Sequence, residues 1–225
     1  GRSVCLNFGG DDASSQHALD AILRPEATQS EVYAHAAPLV DAVLQGYNAT
    51  LLAYGQTGSG KTHSIMGVLG GDEEALGLLP RAVRQVFEAL ESDTSGAEFW
   101  VRCSYLEIYK EAVRDLLQPA RVTGGGAPPH PNASLPIREA VGKGVYVEGL
   151  TEVPVMGASD VLDCVSCGNA SRMVGATLMN AQSSRSHALL TIHLEQKFAD
   201  GSTKVSRLNL ADLAGSEKVA KTGSS

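Results

Sequence analysis

The chain has 225 residues, 43% of them hydrophobic and 19% charged, and its formal net charge is -7. That length supports one domain with a full core, and the acidic balance excludes general attraction to nucleic acid or an anionic membrane. No apolar run of about 18 residues occurs, so no membrane-spanning helix is expected. Gly1–Cys5 carries neither a signal-peptide core nor an initiator Met, which reads as a piece of a longer chain.

Residues 1–16 are polar and rich in Gly, Asp and Ser, so a loop is expected, with a weak strand around Val4–Phe8. Thr28-Gln29-Ser30-Glu31 is a capping-box pattern. The helix it opens sets Val32, Ala36, Leu39, Val40, Val43 and Leu44 on one face and ends by Gly46. Ala49–Tyr54 is a short apolar run that reads as a buried strand. A helix start follows at Thr62–Met66, then a Gly/Asp/Glu loop over Gly67–Gly77. Pro80 opens a helix whose Val83, Phe87 and Leu90 form a core stripe.

Phe99–Tyr109 is aromatic and β-branched, hence a strand, and Glu111–Leu117 reads as a short helix or turn. Pro119–Pro136 is a Gly/Pro-rich surface loop, and Gly144–Val155 suggests a small hairpin pair. Ser159 caps a further helix. His187–Phe198 and Thr203–Leu213 are β-patterned runs joined by Asp200-Gly201, a strong hairpin signal. Helices interleaved with apolar strands predict an α/β layered sheet with some antiparallel character.

Four cysteines include the C-x-x-C of Cys164 and Cys167, with no second pair to complete a zinc site. Both fall where a helix over Ser159–Met173 would bury small groups, so core packing is expected of them. A reduced cytosolic compartment is expected, in which the sequons headed by Asn48, Asn132 and Asn169 carry no sugar.

Gly55-Gln56-Thr57-Gly58-Ser59-Gly60-Lys61-Thr62 fits G-x-x-x-x-G-K-[ST], a loop that wraps nucleotide phosphates. Glycines there let main-chain N–H groups turn inward and approach phosphate oxygens. Lys61 sets a positive charge against the β- and γ-phosphates. The Thr62 hydroxyl suits Mg²⁺, and the helix it begins points its positive end at the same anion. The strand before and the helix after are the setting this motif requires.

Two further segments suit phosphate chemistry. Asp212-Leu213-Ala214-Gly215 follows an apolar strand; a carboxylate there can hold Mg²⁺ through water, and Gly215 can present its N–H to a γ-phosphate. Asn180–His187 gathers Ser183, Ser184, Ser186, Arg185 and His187 in one loop, groups costly to bury and useful around Mg²⁺ and phosphate.

GQTGSGKT, NAQSSRSH and LADLAGSEK, in that order, resemble the kinesin motor domain. Gly46–Thr50, Leu79–Val83, Ser104–Tyr109 and Gly144–Leu150 resemble it as well, so the similarity runs from about Asp20 to Gly223. The resemblance implies a three-layer α/β phosphate-loop NTPase fold, a sheet flanked by helices, here incomplete. It implies an ATP-hydrolysing, microtubule-stimulated motor of the cytoplasm and cytoskeleton. Tubulin would be the partner, not nucleic acid or membrane, and dimerisation would run through regions outside this chain.

Residue by residue, it implies that Gly55–Thr62 binds ATP–Mg²⁺ and that His63 lies near the adenine. Asn180–His187 would be switch I, with Ser183 and Ser184 reaching the metal shell and the γ-phosphate; Thr62, Ser184 and Asp212 would be the metal set. Asp212–Glu217 would be switch II, where Gly215 reads the γ-phosphate and Arg185 and Glu217 close a salt bridge behind the lytic water. Three departures stand out. His17-Ala18-Leu19-Asp20 replaces the family's F-x-F-D strand. The family's first strand is absent before residue 1, and its main microtubule-binding part and neck linker lie past Ser225. The chain is thus expected to be a partial motor domain over 1–225.

Two rivals are weighed. A small GTPase shares the phosphate loop and D-x-x-G, but the stretch from Lys61 to Asp212 is far longer than a compact GTPase needs. A non-motor kinesin-like binding protein that has lost turnover is opposed by the intact set of chemical positions.

Overall fold

The computed structural model describes residues 3–7, 14–118, 134–142, 144–177 and 185–217. Its frame is a mixed sheet built from β3 (Ala49–Ala53), β4 (Glu98–Tyr109), β5 (Ala112–Asp115), β8 (Val153–Pro154), β9 (His187–Lys197) and β10 (Thr203–Asp212). The order is β3-β10-β9-β4-β5, with β8 also on β4. β10 runs parallel to β3, Leu210 opposite Leu51, and antiparallel to β9, Leu210 opposite Leu190. The hairpin between β9 and β10 closes through Gly201, as Asp200-Gly201 predicts.

Period-2 alternation settles which face is covered. Val101, Cys103, Tyr105, Leu190, Ile192, Leu194, Leu208 and Leu210 are buried and share one core with the helices. Those helices are α1 (Gln29–Leu44), α2 (Lys61–Ile65), α3 (Leu78–Glu91) and α4 (Ala158–Thr177). α1 contributes Ala36, Val40 and Val43, α3 contributes Leu79, Val83 and Phe87, and α4 contributes Val161 and Val165. Leu39, expected on the core face of α1, is 38% exposed. The opposite sheet face carries Thr50, Ser104, Thr191, His193, Arg207 and Asn209. These line a groove of about 510 Å³ whose other wall is Val145–Val147 and Leu150, with no residue of the four helices in it.

The capping box forms as expected: Thr28 Oγ1 accepts the Glu31 N–H at 3.2 Å, and the Thr28 N–H donates to Glu31 Oε2 at 2.7 Å. Elsewhere the structure corrects the sequence reading. Glu111–Leu117 is neither helix nor simple turn. Lys110 and Glu111 both take positive φ (48° and 61°), a primed hairpin turn that returns the chain as β5 against β4. β1 (Ser3–Asn7), where a weak strand was expected, pairs antiparallel with β2 (Ser14–Ala18), a partner that polar composition had concealed. The small hairpin pairs β6 (Ile137–Ala140) with β7 (Gly144–Val147), while β8 joins the main sheet.

α4 already includes Ser159, so that residue is not its cap; just ahead of the helix the Met156 N–H donates to the Asp160 carboxylate at 2.7 Å. Pro80 is the third residue of α3, not the first. Cys103 is buried and Cys164 half-buried, but Cys167 is exposed, so core packing holds for only one member of the C-x-x-C. The loop over 119–133 lies outside the described residues.

Candidate functional site

β3 and β10 end side by side, and each leads at its carboxyl end into a segment expected to meet phosphate. This is the crevice where open α/β sheets bind ligands. The loop after β3 turns into α2 at Gly60, whose φ of 93° is left-handed and suits glycine. Leu213 N–H donates to the Ala53 carbonyl at 3.3 Å and Ser216 N–H to the Gly55 carbonyl at 3.0 Å. The segment after β10 is thereby laced to the phosphate loop.

Lys61 Nζ donates to the carbonyls of Gly55 (3.0 Å) and Gln56 (2.9 Å). The ammonium is therefore held over its own loop, where an anion would meet it. A cavity of about 300 Å³ opens there, lined by Thr57, Gly58, Gly60, Lys61, Thr62, His63 and Leu213. Ser59 belongs to the same turn, its N–H bonded to the Gln56 carbonyl. Larger grooves lie elsewhere among the described residues, lined by other segments of the sheet and by the β6–β7 hairpin and α3.

Thr62 Oγ1 donates to Asp212 Oδ2 at 2.5 Å. Asp212 is 5% exposed, and its other oxygen, Oδ1, is buried with no hydrogen-bond partner among the described residues. A buried carboxylate oxygen without a partner is costly. With the threonine hydroxyl beside it, this oxygen-only donor set fits a hard cation such as Mg²⁺.

Glu217 is held by the phosphate loop. Its carboxylate accepts the Thr57 N–H at 2.9 Å and a short hydrogen bond from the Thr57 hydroxyl. That hydroxyl, aided by backbone N–H groups and by the Lys61 charge, holds the Glu217 carboxyl below its ordinary value. Arg185 is exposed just before β9, and among the described residues it forms no ion pair with Glu217. Both Glu217 oxygens are engaged by Thr57 of the phosphate loop. Gly215 lies under this contact; a Cβ built on it would meet the Glu217 carboxylate and the Thr57 hydroxyl.

Ser183 and Ser184, expected around metal and phosphate, lie outside the described residues. Of that segment, Ser186 is fully buried and His187 Nδ1 accepts the Ala214 N–H at 3.1 Å. His63 lies at the cavity rim with its ring nitrogen 3.1 Å from Gln29 Nε2, which also donates to the His63 carbonyl at 2.8 Å.

Sequence reasoning missed Gln29, which is nearly buried at the first position of α1. A glutamine at a helix start gives no signal beyond its place in the capping box. It also missed the buried Glu107, with Arg172 Nε 3.3 Å from its Oε1. A carboxylate inside the strand run Phe99–Tyr109 was the available sign.

Comparison with known proteins adds the following. A family profile described as "Kinesin motor domain" matches residues 8–225. Kinesin-related protein 5 of Dictyostelium discoideum is 46% identical over 209 residues, 91% of this chain and 20% of that protein. A kinesin heavy chain of Botryotinia fuckeliana is 42% identical over 235 residues, covering 100% of this chain and 26% of its own length. The chain thus spans about a fifth to a quarter of the curated relatives it matches. A solved structure described as "Structure of a fast kinesin: Implications for ATPase mechanism and interactions with microtubules" superposes with a TM-score of 0.84. It is 41% identical, and the match covers 96% of this chain and 58% of that one.

Proposed function

The chain belongs to the kinesin motor domain family, and from that premise we propose that it is the ATP-hydrolysing part of a microtubule-based motor. The observation that carries the reading is the meeting of Thr62 and Asp212 beneath the phosphate loop, with one buried Asp212 oxygen left over. Phosphoryl transfer needs positioning and charge stabilisation rather than covalent help, and with nucleotide and Mg²⁺ bound this arrangement would supply both.

Main-chain N–H groups of Gly55–Lys61 would cradle the phosphates, and Lys61 would exchange its two carbonyl partners for phosphate oxygens. Mg²⁺ would be held by Thr62 Oγ1 and Asp212, with Ser184 as the expected third ligand, and would neutralise charge on the β- and γ-phosphates. His63 would border the base. Gly215 N–H would read the γ-phosphate, and Ser183 would contribute from the segment before β9.

Arg185 and Glu217 would pair only after Glu217 leaves Thr57, so the ion pair belongs to the nucleotide-closed state. That exchange of partners is a two-position switch of the kind that ties loop position to hydrolysis. The partner would be the microtubule, the place the cytoplasm and cytoskeleton, and dimerisation would use segments outside 1–225. No described helix is long and apolar enough to cross a membrane.

Phosphate release from the full-length protein tests the reading, with ATP or GTP and with or without polymerised tubulin. ATP preference and stimulation by microtubules are expected. Preference for GTP would favour a GTPase, and ATP binding without turnover would favour a non-motor binding protein.

A further inference from the structure

We propose that Glu107 is a positioning residue for ATP turnover: through Arg172 it fixes Ser186 and His187, and through them the main chain at Ala214. The inference rests on the reading of 212–217 as a nucleotide-responsive segment. Its starting point is a carboxylate in the interior of the sheet. Glu107 lies in β4 opposite Ala188 and is 2% exposed. A carboxylate is buried to that extent only when paired.

Two elements supply it with arginines. Arg172 of α4, itself only 12% exposed, brings Nε to 3.3 Å of Oε1; Arg114 of β5 brings Nη1 to 3.9 Å of Oε2. Arg172 then spends its other arm on the chain beside the site. Its Nη2 donates to Ser186 Oγ at 3.0 Å, and Ser186 is fully buried. The next residue, His187, accepts the Ala214 N–H, one position before Gly215.

A continuous path therefore runs from Glu107 to Arg172, to Ser186–His187, and to the loop that follows β10. An ion pair sealed in the interior is weak support for stability, since apolar residues of similar volume often serve as well. What it does supply is direction. A planar guanidinium with its Nε held at a carboxylate has fewer orientations left for the N–H groups of its other arm. None of these side chains borders the phosphate cavity, so they would act by placing main chain and not by touching nucleotide.

The test uses the full-length protein and two variants, with nucleotide affinity and single-turnover hydrolysis measured separately. Glu107→Gln keeps the shape and removes the charge. The expected result is an ATP dissociation constant within about twofold of the parent and a hydrolysis rate lower by about tenfold or more. Ser186→Ala leaves the Glu107–Arg172 pair intact and removes only the hydroxyl it aims at. It should fold normally, slow hydrolysis in the same way, and add little on top of Glu107→Gln, because both break one path. A folded Ser186→Ala with the parent's hydrolysis rate overturns the proposal. So does a Glu107→Gln protein that melts earlier yet hydrolyses at the parent rate per nucleotide-binding site. A parent protein that binds ATP and does not turn it over would instead overturn the proposed function itself.

Discussion

Glu217 and Thr57 form a double contact: the carboxylate of one accepts both the main-chain N–H and the hydroxyl of the other. Glu217→Ala should therefore release the phosphate loop from the segment after β10 while leaving the cradle for phosphates whole. ATP affinity should hold and the hydrolysis rate should fall, since closure loses its acidic partner. Equal single-turnover rates for variant and parent would refute the role. Gly215→Ala should slow turnover too, because its methyl group would strike both residues of that contact. The depressed carboxyl also fixes a sign. The Thr57 contact is fully present above the ordinary glutamate range and is lost as pH falls through the lower folded value.

Thr62 and Asp212 stand 150 residues apart in sequence and 2.5 Å apart in space. Asp212→Asn should keep that hydrogen bond in part and remove the charge a dication needs. The Mg²⁺ concentration for half-maximal turnover is expected to rise about tenfold or more. A titration of ATPase activity against Mg²⁺ checks this, and an unchanged midpoint would exclude Asp212 from the metal site.

Lys61→Ala removes the fixed cation from the cavity, and its partners Gly55 and Gln56 are carbonyls that gain nothing from the loss. Charged hydrogen bonds of this kind contribute about 1.5–3 kcal/mol, so ATP affinity should drop by about tenfold to a hundredfold. Calorimetry showing undiminished affinity would remove Lys61 from the phosphate site.

His193 gives the fold an acid-sensitive point away from the site. Burial against the sheet pushes its imidazole below the ordinary value; Glu152 opposes this, and Arg207 and Arg102 reinforce it. The folded chain thus keeps His193 neutral where the unfolded chain would take up a proton. Stability from this source is complete above about pH 6.5 and falls as the pH drops below it. The thermal midpoint should decline between about pH 7 and 5, and less steeply in His193→Gln.

The phosphate loop, the helix stripes and the two long strands were legible because each rests on local chemistry: fixed glycines, 3.6-residue spacing, and alternation ended by Asp200-Gly201. What escaped was set by partners far along the chain. The Lys110–Glu111 turn lacks the Asn or Gly that usually marks left-handed φ; the pairing of β4 with β5 imposes it. Glu217 is a similar case. Nothing in the sequence pointed to Thr57, 160 positions away, which supplies the Glu217 carboxylate with two donors. Glu107 was hidden because one acidic residue in a strand gives no sign that an arginine on α4 will meet it.

The placement of β10 between a parallel and an antiparallel neighbour has a consequence for hydrogen exchange. Its main chain is bonded on one side to β9 from Thr203 to Asp212 and on the other to β3 from Leu208 onward. Amides of Leu208–Ala211 should open to deuterium only when the whole domain unfolds, whereas Ala214 and Ser216, held by single bonds across the crevice, should exchange by local opening. Added nucleotide should slow the second set and leave the first unchanged. The strand would then be the fixed reference against which the loop beyond Asp212 moves, and the boundary between still and moving chain would fall within the four residues from Asp212 to Gly215.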